Sequence, residues 1–129
     1  SKTHVILTLD TLEYAKRSGR VGTLSAAMAS LLNVKPIALL KDGVVDMVDR
    51  VRARKVAIER VIELGKQAVG DAPVYMGGVH ARDEASCKTL LEEAKKHFNV
   101  KETYMADLAI SLAINFGPGT VGLVLYPAE

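Results

Sequence analysis

The sequence predicts a single α/β domain with a mixed β-sheet covered by helices. Short β-rich runs alternate with segments of helical apolar spacing, in the order β-α-α-β-β-α-β-α-β-α-β. Lys41-Asp42-Gly43 separates two β-rich runs by a hairpin-type turn, which adds an antiparallel pair to the sheet. With 129 residues, 49% of them hydrophobic and 25% charged, the chain suits one soluble globular domain with a real core.

The first part of the chain predicts a strand followed by two helices. The β-rich run is His4–Leu9, and Asp10 with Glu13 has the spacing of a capping box, so a helix is expected from near Thr11. A second helix is expected over Leu24–Leu32. Its apolar face consists of Leu24, Ala27, Met28, Leu31 and Leu32. The opposite face of this helix carries small residues, which permit close packing. The packing partner would be another helix, which is the commoner case, or a thin apolar ligand.

Two longer helices and five strands are predicted in the remainder. The helices are Arg54–Val69 and Arg82–Phe98, with Lys95, Lys96 and His97 in the last turn of the second and Cys87 as an inert packed thiol. The strands are expected at Lys35–Leu40, Val44–Val51, Pro73–Val79, Lys101–Ala106 and Val121–Tyr126. The small apolar segment Asp107–Ile114 is expected to be buried.

The turn Gly117-Pro118-Gly119 precedes the last strand and is the first candidate for a ligand site. Glycines permit backbone angles closed to other residues and a close approach to backbone N–H groups. Asn115 and Thr120 flank the turn as side-chain hydrogen-bonders. The alternative is a tight connection between two core elements, which spacing alone favours because short glycine turns are common.

Two further candidates are cationic. Arg20 follows a predicted helix stop at Gly19, where a guanidinium can hold a carboxylate or phosphate in two places. The densest positive patch is Arg50–Lys55, which suits docking of an anionic group or acidic partner. For both, a solvated surface position is the simpler alternative. It fits the Arg50–Lys55 patch less well, because cations in the first turn of a helix oppose its macrodipole.

Composition excludes several classes of function. The net charge of +2 gives no support to nucleic-acid or membrane-surface binding, and no apolar run is long enough to span a bilayer. The histidines have no metal-ligand spacing, and phosphate-loop and nucleophile-elbow motifs are absent. No cofactor, metal or catalytic residue is therefore expected. The single cysteine suits a reducing compartment, and the start at Ser1 suggests a piece of a longer protein.

Several stretches, taken in order, resemble the DegV family. They are Leu9–Val21 (LDTLEYAKRSGRV), Asn33–Gly43 (NVKPIALLKDG), Arg50–Lys55 (RVRARK), Gly78–Ala85 (GVHARDEA) and Phe116–Gly122 (FGPGTVG). No single motif is very specific, but their order and spacing over nearly the whole chain are. Two departures are Ser18, where the family usually has a first glycine, and Asn115, where it usually has a histidine. Asparagine neither carries charge nor shuttles a proton.

The resemblance implies a bacterial cytoplasmic fatty-acid-binding protein and not an enzyme. Family members hold a long-chain fatty acid between two α/β domains and present its carboxylate to a fatty-acid kinase, which makes an acyl phosphate for phospholipid synthesis. Residues 1–129 resemble the C-terminal domain of such a carrier. Alone, this domain is expected to expose an apolar slot wall and to self-associate.

The site residues that this resemblance and the local chemistry suggest form three groups. The carboxylate end of the fatty acid would meet Arg20, Asn115, Gly117, Gly119 and Thr120. The acyl slot wall would consist of Leu24, Ala27, Met28 and Leu31. Kinase docking would use Arg52 and Arg54, both expected to be largely exposed.

Two other classes of function stay open at this point. Folds related to this family occur in phosphotransferase-type subunits that use a histidine covalently, and His80 at a strand end would be that residue. A satisfied loop histidine is the commoner case. The second alternative is a structural or interaction domain without a ligand.

Overall fold

The computed structural model describes residues 3–9, 35–41, 44–107 and 119–128. Within them the chain forms six strands and two helices. The strands are β1 (His4–Thr8), β2 (Lys35–Lys41), β3 (Val44–Val51), β4 (Pro73–His80), β5 (Asn99–Asp107) and β6 (Val121–Pro127), and the helices are α1 (Arg54–Val69) and α2 (Glu84–Ala94). The helices expected from Thr11 and over Leu24–Leu32 lie outside the described residues.

The six strands form one mixed sheet in the order β3-β2-β1-β6-β4-β5. β4 and β5 run parallel, and every other neighbouring pair among the described strands is antiparallel. The last strand of the chain therefore lies in the middle of the sheet, where Val5 of β1 faces Val124 and Met76 of β4 faces Leu125. The predicted mixed α/β fold is confirmed.

Both described helices pack on one face of the sheet. α1 buries Ala57, Ile58, Val61, Ile62 and Gly65, and α2 buries Cys87, Leu90, Leu91 and Ala94. These side chains meet the alternate residues of the strands that point toward them, which include Ile6, Ile37, Val74, Met76, Val121, Leu123 and Leu125. The predicted buried face of α1 and the packed thiol of Cys87 are confirmed.

α2 is shorter than the predicted helix Arg82–Phe98. It begins after Asp83, whose side chain accepts a hydrogen bond from the Ser86 amide, and it ends at Ala94. The His97 amide then donates to the Ala94 carbonyl three residues back, which tightens the chain. This turn brings Phe98 into the core at 8% exposure. The three basic residues before Phe98 therefore follow the helix instead of forming its last turn.

The other face of the sheet carries a tyrosine cluster near the β5 edge. The rings of Tyr75 and Tyr126 lie 5.4 Å apart, and those of Tyr104 and Tyr126 lie 6.4 Å apart. Gly77 leaves the space that the Tyr104 ring fills. At the end of β5, the Asp107 side chain is 87% exposed, so the expectation that this residue is buried is wrong. Its carboxylate keeps its hydration at the sheet edge.

Candidate functional site

The amino end of β6 meets the carboxyl end of β4 at a backbone junction. The Gly119 amide donates to the Ala81 carbonyl at 2.8 Å, and the Ala81 amide donates to the Thr120 carbonyl at 2.8 Å. Gly119 has φ of 90°, a left-handed conformation that favours glycine. Thr120 is fully buried beside it. The end of the predicted glycine turn is therefore a fixed piece of backbone bound to the loop after β4.

Arg54, the first residue of α1, reaches this junction with its side chain. Its Nη2 donates to Asp83 Oδ2 at 3.2 Å and also to the Gly119 carbonyl. Its Nη1 is buried and has no hydrogen-bond partner within residues 3–9, 35–41, 44–107 and 119–128. With 25% of its side chain exposed, Arg54 is not the largely exposed residue that the sequence predicted. The reason is that a carboxylate and a carbonyl from distant parts of the chain converge on its guanidinium. Arg52, by contrast, is exposed as expected.

Asp83 connects the same junction to α2. One carboxylate oxygen accepts from the Ser86 amide at 3.2 Å, and the other accepts from Arg54. An aspartate at this position satisfies one of the unpaired amides at the helix start and favours the positive end of the helix dipole. Asp83 falls at the start of the predicted helix Arg82–Phe98, but its contact with Arg54 was not predicted. The spacing of Asp83 to Ser86 is typical of an N-cap and can be read locally. The contact of Asp83 with Arg54 has no local sequence signal, because the two residues are 29 positions apart.

His80 ends β4 at the same junction. Its Nδ1 accepts from the Asp83 amide at 3.3 Å, and its Nε2 lies 3.4 Å from Asp107 Oδ1 at the end of the neighbouring parallel strand. In the neutral ring the proton therefore belongs on Nε2. Only 10% of the side chain is exposed. A bonded Nδ1, a carboxylate beside Nε2 and low exposure match a satisfied histidine at the strand end and do not favour covalent phosphotransfer by His80.

A groove of about 1010 Å³ opens between α1 and α2 next to this junction. Its apolar lining includes Ile58 and Ile62, and its charged lining includes Lys55, Glu59 and Glu93. Sequence periodicity identified the buried face of each helix but not the space between the two. The groove arises because α1 and α2 cover different strands of the sheet, α1 mainly β1 and α2 mainly β4.

The structure brings together only part of the predicted site. Gly119, Thr120 and Arg54 meet at the junction. Ala81 and Asp83, which were not predicted as site residues, lie there too. Arg52 lies on the surface. The remaining predicted residues lie outside the described ranges: Arg20, Leu24, Ala27, Met28, Leu31, Asn115 and Gly117.

Neither a metal centre nor a membrane helix is found in the described part of the chain. Over residues 3–9, 35–41, 44–107 and 119–128, no group of three or more histidine, cysteine or acidic side chains is arranged to hold a metal ion. No helix within those ranges is both long and apolar enough to cross a bilayer. The polar groups at the junction include backbone amides and carbonyls, the Arg54–Asp83 pair and the His80 imidazole beside Asp107.

Fold and junction together define a mixed α/β domain in which Gly119 and Thr120 are bonded to the residue that follows β4. A family model described as "Uncharacterised protein, DegV family" matches residues 1–128. The chain belongs to the DegV family, as its ordered motifs predicted.

Curated relatives have the same family name. A DegV domain-containing protein of Clostridium acetobutylicum is 32% identical over 126 residues, a match that covers 96% of this chain and 45% of the relative. Protein DegV of Bacillus subtilis is 29% identical over 116 residues and is matched over 41% of its length. The chain thus spans less than half the length of these relatives.

Solved structures of the family share the fold. One is a fatty-acid-binding DegV family protein from Thermus thermophilus. It superimposes with a TM-score of 0.87 at 31% identity, and the match covers 97% of this chain and 46% of that one. A DegV lipid-binding protein from Thermotoga maritima gives a TM-score of 0.85 at 26% identity, over 99% of this chain and 44% of that one.

Proposed function

We propose that this chain is the C-terminal half of a carrier that binds a long-chain fatty acid and is not itself an enzyme. The observation that carries the proposal is the likeness to the fatty-acid-binding Thermus thermophilus protein, which extends over 97% of the chain in both fold and sequence. The partial coverage of that protein, 46%, agrees with a two-domain carrier of which this chain is one domain.

In this proposal the carboxylate of the fatty acid binds beside the Gly119–Thr120 turn. The Gly119 amide and carbonyl already have partners within the chain, so Gly119 contributes shape and close approach rather than a free donor. The donors would come from Arg20 and Asn115, with Gly117 providing further close approach of the backbone. A charge-assisted bond from Arg20 would be the strongest of these contacts.

The acyl chain would lie against the small-residue segment Leu24–Leu32, with Leu24, Ala27, Met28 and Leu31 as one wall of its slot. Each buried methylene contributes about 0.8 kcal/mol. If the opposite wall belongs to another domain, the loss of five buried methylenes forfeits on the order of 4 kcal/mol, or about a thousandfold in affinity. Residues 1–129 alone would then bind fatty acid weakly and would expose an apolar patch that favours self-association.

Presentation to a fatty-acid kinase is the finer part of the proposal. Arg52 is exposed in the basic block and is free to meet an acidic partner surface. The kinase would phosphorylate the bound carboxylate, and the acyl phosphate would supply phospholipid synthesis in the cytoplasm. Arg54 contributes less to docking in this scheme, because its guanidinium is already bound at the junction.

The test is titration calorimetry with a long-chain fatty acid below its micelle threshold, on residues 1–129 and on the longer protein that includes a second domain. We expect one-to-one binding by the longer protein and binding at least a hundredfold weaker by residues 1–129. Submicromolar binding by residues 1–129 alone would place the whole lipid site within them. Absence of binding by the longer protein, with no fatty acid found in it by mass spectrometry, would overturn the function itself and favour an interaction domain without a ligand.

A further inference from the structure

We propose that Arg54 is a positioning residue that holds the Gly119–Thr120 turn against the start of α2 and thereby sets the carboxylate end of the ligand site. The basic block that contains Arg54 suggested a docking role for it, and its contacts point inward instead. The consequence for the ligand rests on the proposed function, whereas the mechanical role of Arg54 does not.

One nitrogen of Arg54 joins two segments that are distant in sequence. Its Nη2 donates to Asp83 Oδ2 at 3.2 Å, across 29 positions of the chain, and to the Gly119 carbonyl, across 65 positions. Arg54 itself begins α1, so this nitrogen joins the starts of both helices to the turn before β6. A guanidinium suits this role because its several donors have a rigid planar geometry.

Both partners of Arg54 are themselves fixed. Asp83 accepts from the Ser86 amide at 3.2 Å, and its own amide donates to His80 Nδ1 at 3.3 Å. Gly119 donates to the Ala81 carbonyl at 2.8 Å. Because neither partner is a freely rotating surface group, the two bonds of Arg54 restrain the turn relative to α2.

The stability of α1 does not explain why an arginine stands at this position. A cation in the first turn opposes the helix dipole. α1 has no acidic residue in that turn, and its N-cap residue, Ala53, has no side-chain group that could bond the helix amides. Among the described residues the buried Nη1 of Arg54 also has no hydrogen-bond partner, and a buried polar group without a partner costs free energy. Neither feature stabilises α1, so the contribution of Arg54 lies in its bonds to Asp83 and Gly119.

Arg52 provides a matched control within the same basic block. It lies two residues before Arg54, it is exposed, and it forms no ion pair within the described part of the chain. Arg52→Gln therefore removes the same charge and the same kind of side chain without touching the junction. Arg54→Lys keeps the charge but loses the planar arrangement of donors.

Amide hydrogen exchange measured by NMR on this chain tests the mechanical role. In Arg54→Gln we expect the Gly119 and Ala81 amides to exchange about tenfold faster, as for the loss of one hydrogen bond, while the Val74 and Leu123 amides of the sheet centre, which report global unfolding, change by clearly less. Arg54→Lys should give an intermediate rise and Arg52→Gln none. Unchanged Gly119 and Ala81 rates in Arg54→Gln, or an equal rise at all four amides, would overturn the role.

Asp83→Asn is a second variant that keeps the test decisive if Arg54→Gln does not fold. The asparagine still accepts from the Ser86 amide but removes the negative charge that holds Arg54. The same two amides should then exchange faster, by less than in Arg54→Gln. Unchanged exchange in this variant contradicts the positioning role.

The link to the ligand is tested separately in the two-domain protein. Arg54→Gln should weaken fatty-acid binding about tenfold relative to Arg52→Gln. Equal affinities of the two variants, together with a loosened turn, would overturn the link to the site. If the unmodified two-domain protein binds no fatty acid while Arg54→Gln still loosens the turn, the proposed function fails and the mechanical role stands.

Discussion

Adding one methyl group at two neighbouring glycines of β4 tests the packing on both faces of the sheet. At Gly78 the new Cβ would stand 2.7 Å from Cys87 Sγ and 2.9 Å from two carbons of Leu91. At Gly77 it would stand 2.2 to 2.5 Å from the outer atoms of the Tyr104 ring. On distance alone, Gly77→Ala makes the worse clash.

The mobility of the side chains that the new methyl group would strike reverses the expected order of the two destabilisations. Cys87 is fully buried and Leu91 is 7% exposed, so relief at Gly78 requires α2 to shift, at a cost of about 1–3 kcal/mol. Tyr104 is 40% exposed on the edge strand, and its ring is able to swing outward. Replacing glycine by alanine also stabilises by about 0.4–1 kcal/mol through the unfolded state. We therefore expect Gly78→Ala to lose a net of up to about 2.5 kcal/mol and Gly77→Ala to change the unfolding free energy by less than about 1 kcal/mol.

Urea denaturation followed by circular dichroism measures both free energies. Tyr104→Ala supplies the control, because it removes the side chain that Gly77→Ala would strike. In that background Gly77→Ala should become stabilising, while the cost of Gly78→Ala should remain unchanged because the two sites share no partner. The reasoning is refuted if Gly77→Ala is the more destabilising of the two, or if its effect does not depend on Tyr104.

Further predictions concern a thiol, an ion pair and the two arginines. Burial, helped by nearby acidic residues, raises the pKa of the Cys87 thiol from 9.0 to about 11. Iodoacetamide at pH 8 should therefore label it far more slowly in the native chain than in urea, and the free energy of unfolding should fall as pH rises above 9, where only the unfolded thiol ionises. A hydrogen bond from Arg60 at 2.6 Å lowers the pKa of Asp49, so the stabilisation lost in Asp49→Asn should be present at pH 7 and should disappear as pH falls below 3.8. Arg52→Ala should leave the unfolding free energy within about 0.5 kcal/mol, whereas Arg54→Ala should lower the melting temperature measurably. Equal melting temperatures of the two alanine variants would count against the buried role of Arg54.

Local patterns were sufficient for the elements whose ends have their own signals. The bounds of α1 agree with the prediction because its apolar spacing continues to Val69 and Gly70 then adopts a left-handed φ of 59°. For α2 the periodicity continued past the true end, because Phe98 falls at helical spacing yet reaches the core through a tighter turn. Periodicity reports which side chains are buried and not which backbone path buries them.

The sequence by itself determined the fold class, the strands and two helices of the described residues, and the family, because each depends on local spacing or on motifs in a fixed order. Only the tertiary structure placed β6 between β1 and β4 and brought Gly119 to Arg54. Strand order and register depend on contacts between residues far apart in sequence, for which neither propensity nor periodicity has a signal. Arg52 and Arg54 show the difference most clearly. They stand in one basic run of the sequence, but in the folded chain Arg52 is a surface cation and Arg54 is bound to Asp83.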